Sequence, residues 1–440
     1  MIEDLTMINK NIISGVFKKY DYQYGKEERF FVNILKIIKI VFYGIFNEFK
    51  KESEKIKTEL LFDASIKRLA FFQVYSPIIK LFPNTKWSLL VRSKEIFKNN
   101  ENNKCIVLEQ DRLISRYMTL NKLKFIYSIV SLRVRFGSTI PLNQLLLFFQ
   151  EYLYYENLIN SVEFKILISF RDSAISPTMF GILKKHNITL ITIQHGFYPP
   201  NADTRKNMKF SYYDYLYTFS DMQSQVFLNT YQSKINNIIS YGSALLNNKL
   251  NNFRPKGTYD ICLIEQIGTE KYFKLEEFLF LLKVVLDFSQ SNGLSVIYCD
   301  RYLRSEKLSN NNIINSRLDR VDDLLNRYDF IVRTNDSYQA IFDSHLTVTK
   351  SSTMGLEAIG MEKFVLICDF HGSTGMYPKD NRLFFVHDMT RENIICGLKD
   401  IIDGDVVFLN SELKKIKPYY MNANPLEYFK SIKYIISKNI

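Results

Sequence analysis

The sequence predicts an α/β protein built from two doubly wound parallel sheets, and three observations lead there. A strand–helix alternation begins at Glu59 and runs to Phe219. A polar stretch, Asn247–Tyr259, carrying Pro255 and Gly257, then breaks the pattern. A second alternation runs from Asp260 to His387. Strands that alternate with helices pair in parallel and are covered on both faces. The chain has 440 residues, too many for one ordinary core, so two domains follow.

In order, residues 1–56 read as a helical N-terminal extension, 57–246 as a first Rossmann-like domain and 247–259 as a linker. Residues 260–424 read as a second Rossmann-like domain, and 425–440 as a closing helix. In the extension, Phe30–Phe46 is the most apolar stretch, but Lys36 and Lys39 interrupt it. It reads as a buried helix, with an interfacial helix lying in lipid headgroups as the alternative. The first domain takes strands at Glu59–Phe62, Trp87–Val91, Cys105–Leu108, Lys165–Phe170, Ile188–Ile193 and Tyr215–Phe219. Helical patterns, such as Ser65–Leu81 and Pro177–His186, separate most of them, and Asp111–Ser161 reads as mostly helical. The second takes Asp260–Glu265, Leu294–Cys299, Phe330–Arg333, His345–Thr349, Phe364–Cys368 and Leu383–His387, with helices such as Lys271–Phe288 and Ser316–Asn326.

Composition narrows the partners. The formal charge is +12, which suits nucleic acid, an anionic membrane or anionic ligands. The basic residues are scattered and form no nucleic-acid motif, so membrane and anionic ligands are expected and nucleic acid is not. The five cysteines stand far apart without metal or redox spacing, a reducing-compartment pattern. The first residues, MIEDLTMINK, show no signal-peptide pattern, and no apolar run reaches the roughly 20 residues of a spanning helix.

In doubly wound sheets the ligand lies beyond the carboxyl ends of the strands, so the residues there carry the chemistry. The strongest such place is HLTVTKSSTMGLEAIGMEKFVLIC, from His345 to Cys368. It reads as strand, turn, helix, strand, with Ser351, Ser352 and Thr353 where strand gives way to helix. Free N–H groups, a positive helix end and three hydroxyls suit a phosphate there. Plain N-capping is the alternative. Glu357 lies four residues after Thr353 on the same face, placed to accept from a ribose. Gln266 and Gly268 follow the first strand of the second domain, a place for backbone contact to a diphosphate without a dinucleotide fingerprint. Arg301 and Arg304 follow the next strand and suit phosphate or an acidic sugar, or are simply solvated.

In the first domain, Ile188–Ile193 ends in Gln194-His195-Gly196. His195 reads as a base or as a hydrogen-bond donor to a phosphate, with a structural turn histidine as the alternative, and Gly196 frees the turn. Asp172 ends the preceding strand; it reads as a base for an acceptor hydroxyl, as a helix cap, or as a partner of Arg171. Arg205 and Lys206 lie on a loop after Pro199 and Pro200 that reads as a substrate loop. Asp403-Gly404-Asp405 reads as a turn, and the histidines lack metal spacing, so no metal site is expected.

Together, Gln194-His195-Gly196, Tyr241-Gly242-Ser243 and the run SSTMGLEAIGMEKFVLI from Ser351 resemble bacterial GT-B glycosyltransferases of surface-polysaccharide assembly, capsule and O-antigen included. The likeness is to capsule Kdo transferases and sialyltransferase-like enzymes, and it spans Lys165–Cys368. It implies a GT-B fold with two Rossmann-like domains facing each other across a cleft. It implies a nucleotide-sugar donor, CMP- or UDP-linked, no other cofactor, and no metal in the catalytic step. The acceptor implied is a polysaccharide or lipid-linked glycan, and the place is the cytoplasm or the cytoplasmic face of the inner membrane. On that likeness Ser351, Ser352, Thr353 and the Gly355-Leu356-Glu357-Ala358 segment hold the donor, and His195 faces the reaction centre. Asp300–Arg304 departs from the pattern, since similar enzymes often carry His or Lys there. A sugar-nucleotide epimerase of the same shape, a CDP-polyol transferase of teichoic-acid type and a non-catalytic assembly factor are the alternatives.

Overall fold

Fully buried apolar strands decide the architecture. The computed structural model describes residues 55–63, 70–91, 105–107, 154–156, 158–170, 177–198, 211–250, 253–254, 256–267, 274–301, 312–370 and 383–440. A short parallel pair joins β1 (Ile56–Lys57) to β5 (Val162–Glu163). The N-terminal sheet consists of β2 (Leu60–Asp63), β3 (Trp87–Val91), β4 (Cys105–Val107), β6 (Ile166–Ser169), β7 (Thr189–Ile193), β8 (Tyr212–Thr218) and β9 (Lys234–Ser240). Its order is β4-β3-β2-β6-β7-β8-β9, parallel throughout. Its helices are α1 (Ala70–Lys80), α2 (Pro177–Lys185), α3 (Asp221–Gln225) and α4 (Ala244–Leu250). Every residue of β2 and β6 is buried, the pattern of strands covered on both faces.

The C-terminal sheet has the order β12-β11-β10-β13-β14, again parallel. Its strands are β10 (Tyr259–Ile264), β11 (Val296–Cys299), β12 (Ile331–Thr334), β13 (Ser344–Thr349) and β14 (Phe364–Ile367). Its helices are α5 (Leu275–Ser291), α6 (Asn312–Leu325), α7 (Ser337–Phe342), α8 (Thr353–Gly360), α9 (Arg391–Ile402) and α10 (Val406–Tyr420). The last helix, α11 (Pro425–Asn439), returns to the first domain. There Tyr428, Ile432 and Ile436 join Val74, Tyr75 and Ile78 of α1 over Leu60, Phe62, Ile166 and Ile168. The chain is therefore stitched twice across its two lobes.

The second crossing requires Gly242. Its φ is +83°, and a Cβ there would stand 2.6 Å from the Ala423 Cα. Around it, Asn422 donates its N–H to the Phe219 carbonyl (2.9 Å) and its side-chain amide to that of Ser240 (2.8 Å).

Several expectations shift. Leu383–His387 forms only a single bridge, Phe385 to Ile367, rather than a strand. β9 has a polar sequence, KINNIIS, and no fully buried residue at the sheet edge, which is why apolar patterning does not reveal it. Residues 247–250, read as linker, complete helix α4. Asp405 does sit in a turn, and there it caps α10 by accepting from Val407 and Phe408. Residues 1–54, including Phe30–Phe46, and most of Asp111–Ser161 lie outside the described residues.

Candidate functional site

Strand order locates the sites. From β10 the chain moves through α5 to β11 on one side; from β13 it moves through α8 to β14 on the other. Right-handed crossovers then place α5 and α8 on opposite faces, so a crevice opens between the ends of β10 and β13. In the first domain the same reversal falls between β2 and β6.

At the β10/β13 point the structure brings together Gln266 and Ser351. The Gln266 amide donates to the Ser351 hydroxyl (3.0 Å) and accepts the Ser351 N–H (2.8 Å). Gln266 is buried, so it fixes the loop rather than standing free. Ser352 caps α8, accepting from the Met354 N–H at 3.2 Å with extended backbone, φ −83° and ψ 145°. The expected cap exists, and it leaves donors unused. Among the described residues the N–H groups of Ser352 and Thr353 and the Thr353 hydroxyl have no partner. Gly355 does a different job, because a Cβ there would lie 2.7 Å from Thr349 Cγ2 and 3.1 Å from Ile367 Cδ1. It lets α8 press onto the sheet, which aims the helix end at the crevice.

Arg301 folds back onto the loop after β10. Its N–H donates to Glu265 (2.9 Å) and its guanidinium to the Ile267 carbonyl (3.1 Å). Glu265 is buried and also accepts from the Tyr298 hydroxyl at 3.0 Å. Lys350, which sequence reasoning passed over, is buried immediately before Ser351 and meets Glu277 at 2.6 Å. Burial pushes the Glu277 carboxyl up, but hydrogen bonds from Lys350 and Lys274 outweigh it and hold the group below its usual range.

Glu357 is 4% exposed. It accepts from the Tyr338 hydroxyl at 2.8 Å and bonds to Ser243, so it ties α8 to the interlobe crossing. Burial raises its carboxyl from 4.5 to about 7, while the bonds to Ser243 and Tyr338 pull the other way. Below pH 4.5 it is protonated in folded and unfolded chain alike. As pH rises through 7 the folded chain must ionise a buried acid that the unfolded chain ionises in water. Stability therefore falls between pH 4.5 and 7, by about 3 kcal/mol in this group's share. Urea unfolding at pH 5 and pH 8 checks this: Glu357→Gln flattens the difference, and an unchanged slope in that variant contradicts it.

In the first domain, His195 lies just past β7, exposed, with its ring edge-on to Phe170 at 5.6 Å between centroids. Gln194 holds the turn: its amide donates to the Gly196 carbonyl (2.8 Å) and to Gln223 (2.6 Å), and its oxygen accepts the Phe219 N–H (2.8 Å). It is buried and serves the backbone. Gly196 has open space around its Cβ position and no positive φ, so the turn does not depend on glycine. Asp63, also missed from sequence, ends β2 beside β6. It is buried, with the Ser169 hydroxyl 3.5 Å from Oδ2. Its carbonyl accepts from Tyr75, whose oxygen accepts the Phe170 N–H (3.0 Å). The signal was present as a carboxylate closing the apolar strand LLFD. Asp172, Arg205, Arg304 and Gly268 lie outside the described residues.

No family model matches the chain, and no curated protein matches it. Solved structures do. The wall teichoic acid polymerase TagF matches with TM-score 0.53 and 13% identity, covering 93% of this chain and 97% of its own. A TagF variant soaked with CDPG gives TM-score 0.51 at 13% identity, over 93% of this chain and 96% of its own. A candidate UDP-N-acetylglucosamine 2-epimerase from Listeria monocytogenes gives TM-score 0.50 at 12% identity, over 88% and 98%. The chain has the GT-B fold. In a GT-B protein two Rossmann-like domains face each other across a cleft, and the β10/β13 and β2/β6 points are the crevices of those two domains.

Proposed function

We propose that the protein is a glycosyltransferase that moves a sugar from a nucleotide-activated donor to a cell-surface polysaccharide or lipid-linked acceptor. The observation that carries this reading is the end of α8, where the Ser352 and Thr353 N–H groups and the Thr353 hydroxyl are unused among the described residues. Two N–H donors at a positive helix end suit the phosphate of a nucleotide. Ser351, held by Gln266, adds a hydroxyl, and Glu357 takes a ribose hydroxyl in exchange for Ser243. Arg301 and Gln266 complete the donor side.

The acceptor side is the β2/β6/β7 edge. There His195 or the Asp63 carboxylate removes the acceptor proton as its oxygen attacks the anomeric carbon; Asp172, outside the described residues, is the further candidate from the sequence. The bond from that carbon to the nucleotide phosphate breaks, with inversion, and the phosphate keeps the electron pair. Fixed N–H donors then stabilise the leaving charge without reorganising. An acidic sugar such as Kdo is our reading of the donor, and Gln194 and Gly196 border the acceptor. We read contact with the inner membrane as peripheral; no helix among the described residues is long and apolar enough to cross a membrane.

A thermal-shift screen with CMP, UDP, GDP and CDP tests the reading. One nucleotide raises the melting temperature, because a ligand of the native state stabilises it. No shift with any of them contradicts it. Donor consumption without acceptor turns the reading to the epimerase alternative.

A further inference from the structure

The turn that carries His195 is shaped by two buried amides. From Ile191 to Tyr198 every residue is buried except His195, which is exposed, and Gly196, which is partly so. The glycine does not set this turn, since it has no positive φ and open space at its Cβ position. Gln194 and Gln223 set it instead. Gln194, 1% exposed, donates to the Gly196 carbonyl (2.8 Å) and accepts the Phe219 N–H (2.8 Å). Its second N–H goes to the Gln223 oxygen at 2.6 Å. Gln223, fully buried on α3, also accepts the Tyr198 N–H (2.8 Å). Its own N–H groups go to the Tyr198 carbonyl (2.8 Å) and the Met222 sulfur (3.4 Å). All four amide N–H donors of the pair are used. The Phe219 and Tyr198 N–H groups can only donate, which fixes which end of each amide is oxygen.

The clamp is anchored on both sides. The Tyr198 ring stands edge-on to Phe227 and Tyr231, with centroids 5.6 and 6.1 Å away. Ser220 caps α3 by accepting the Gln223 N–H at 3.3 Å. The Phe219 carbonyl accepts the Asn422 N–H at the second interlobe crossing (2.9 Å). Two buried amides lose hydration that their hydrogen bonds only restore, and an apolar pair of the same shape serves stability as well. What a fully satisfied network adds is a single conformation. Here that conformation presents one exposed imidazole.

We propose that Gln223 is a positioning residue: through Gln194 and the Gly196 and Tyr198 backbone it holds the His195 ring where it meets the acceptor. It touches no substrate itself. A reacting group displaced by about 1 Å loses on the order of 100-fold in rate, which is the use of such a clamp. The inference rests on the reading of His195 as the base, and extends it to a residue on another element.

Nuclear magnetic resonance of the full chain, labelled with ring-13C histidine, tests it without any substrate. The chain has five histidines, and the signal missing from His195→Ala is that of His195. In the wild type the Phe170 ring, 5.6 Å away between centroids, displaces that signal. Gln223→Met moves it to the position of a histidine in an unstructured peptide, while the other four signals stay in place. Gln194→Met breaks the other half of the clamp and gives the same displaced signal, which serves also if Gln223→Met does not fold. A purely structural pair lowers the melting temperature of both variants and leaves the His195 signal at its wild-type position. That result overturns the inference and leaves the reading of His195 standing. A His195→Ala protein with wild-type turnover removes that reading, and the inference with it, wherever the ring signal lies.

Discussion

Replacing His195 with alanine is expected to lower turnover by a factor of about 100 to 10,000, the usual share of a positioned acid or base. The fold should not register the change. His195 is exposed, and the turn that carries it is held by others: Gln194 binds Gly196, Gln223 and Phe219, and Gln223 accepts the Tyr198 N–H at 2.8 Å. Far-UV circular dichroism and melting temperature should match the wild type. Donor affinity should match too, because the proposed phosphate site lies in the other domain. The loss belongs in kcat, measured with saturating donor. Retained turnover at wild-type level removes His195 from the chemistry and leaves the carboxylates of the β2/β6 edge, Asp63 first, as the groups to test.

The frame of this fold was legible because its buried strands are apolar runs bounded by turn residues. Trp87–Val91 and Phe364–Ile367 stand where periodicity places them, since β-branched and aromatic residues have no other use at that density. β9 was not legible, because an edge strand needs no apolar face. At the site, Ser351, Ser352 and Thr353 were legible as a helix start by their type alone. Lys350 was not: a lysine before a turn reads as solvated, and only the fold shows that Glu277 on another helix takes it inside. Gln266 and Ser351 were each visible, but their mutual hydrogen bonds follow from the β10–β13 pairing, which chain order does not reveal. Glu357 was placed on the right face, yet Ser243, its partner from the interlobe crossing, is a long-range contact with no local signal.

The central claim is that backbone donors at the start of α8 hold a nucleotide phosphate. Thr353→Pro addresses those donors with little disturbance elsewhere. Thr353 is the first residue of the helix, where proline is well accepted, and Ser352 already has the extended ψ of 145° that a following proline demands. The substitution deletes one N–H and one hydroxyl together. Hydrogen bonds to a charged group contribute about 1.5–3 kcal/mol each, so even one of the two accounts for at least roughly a tenfold change. The measurement is the affinity, by titration calorimetry, of the nucleotide that stabilises the wild type, set beside its parent nucleoside. The expected result is nucleotide affinity about 100-fold weaker in Thr353→Pro with nucleoside affinity unchanged. Equal nucleotide affinity in the two proteins, with the variant folded, contradicts the claim.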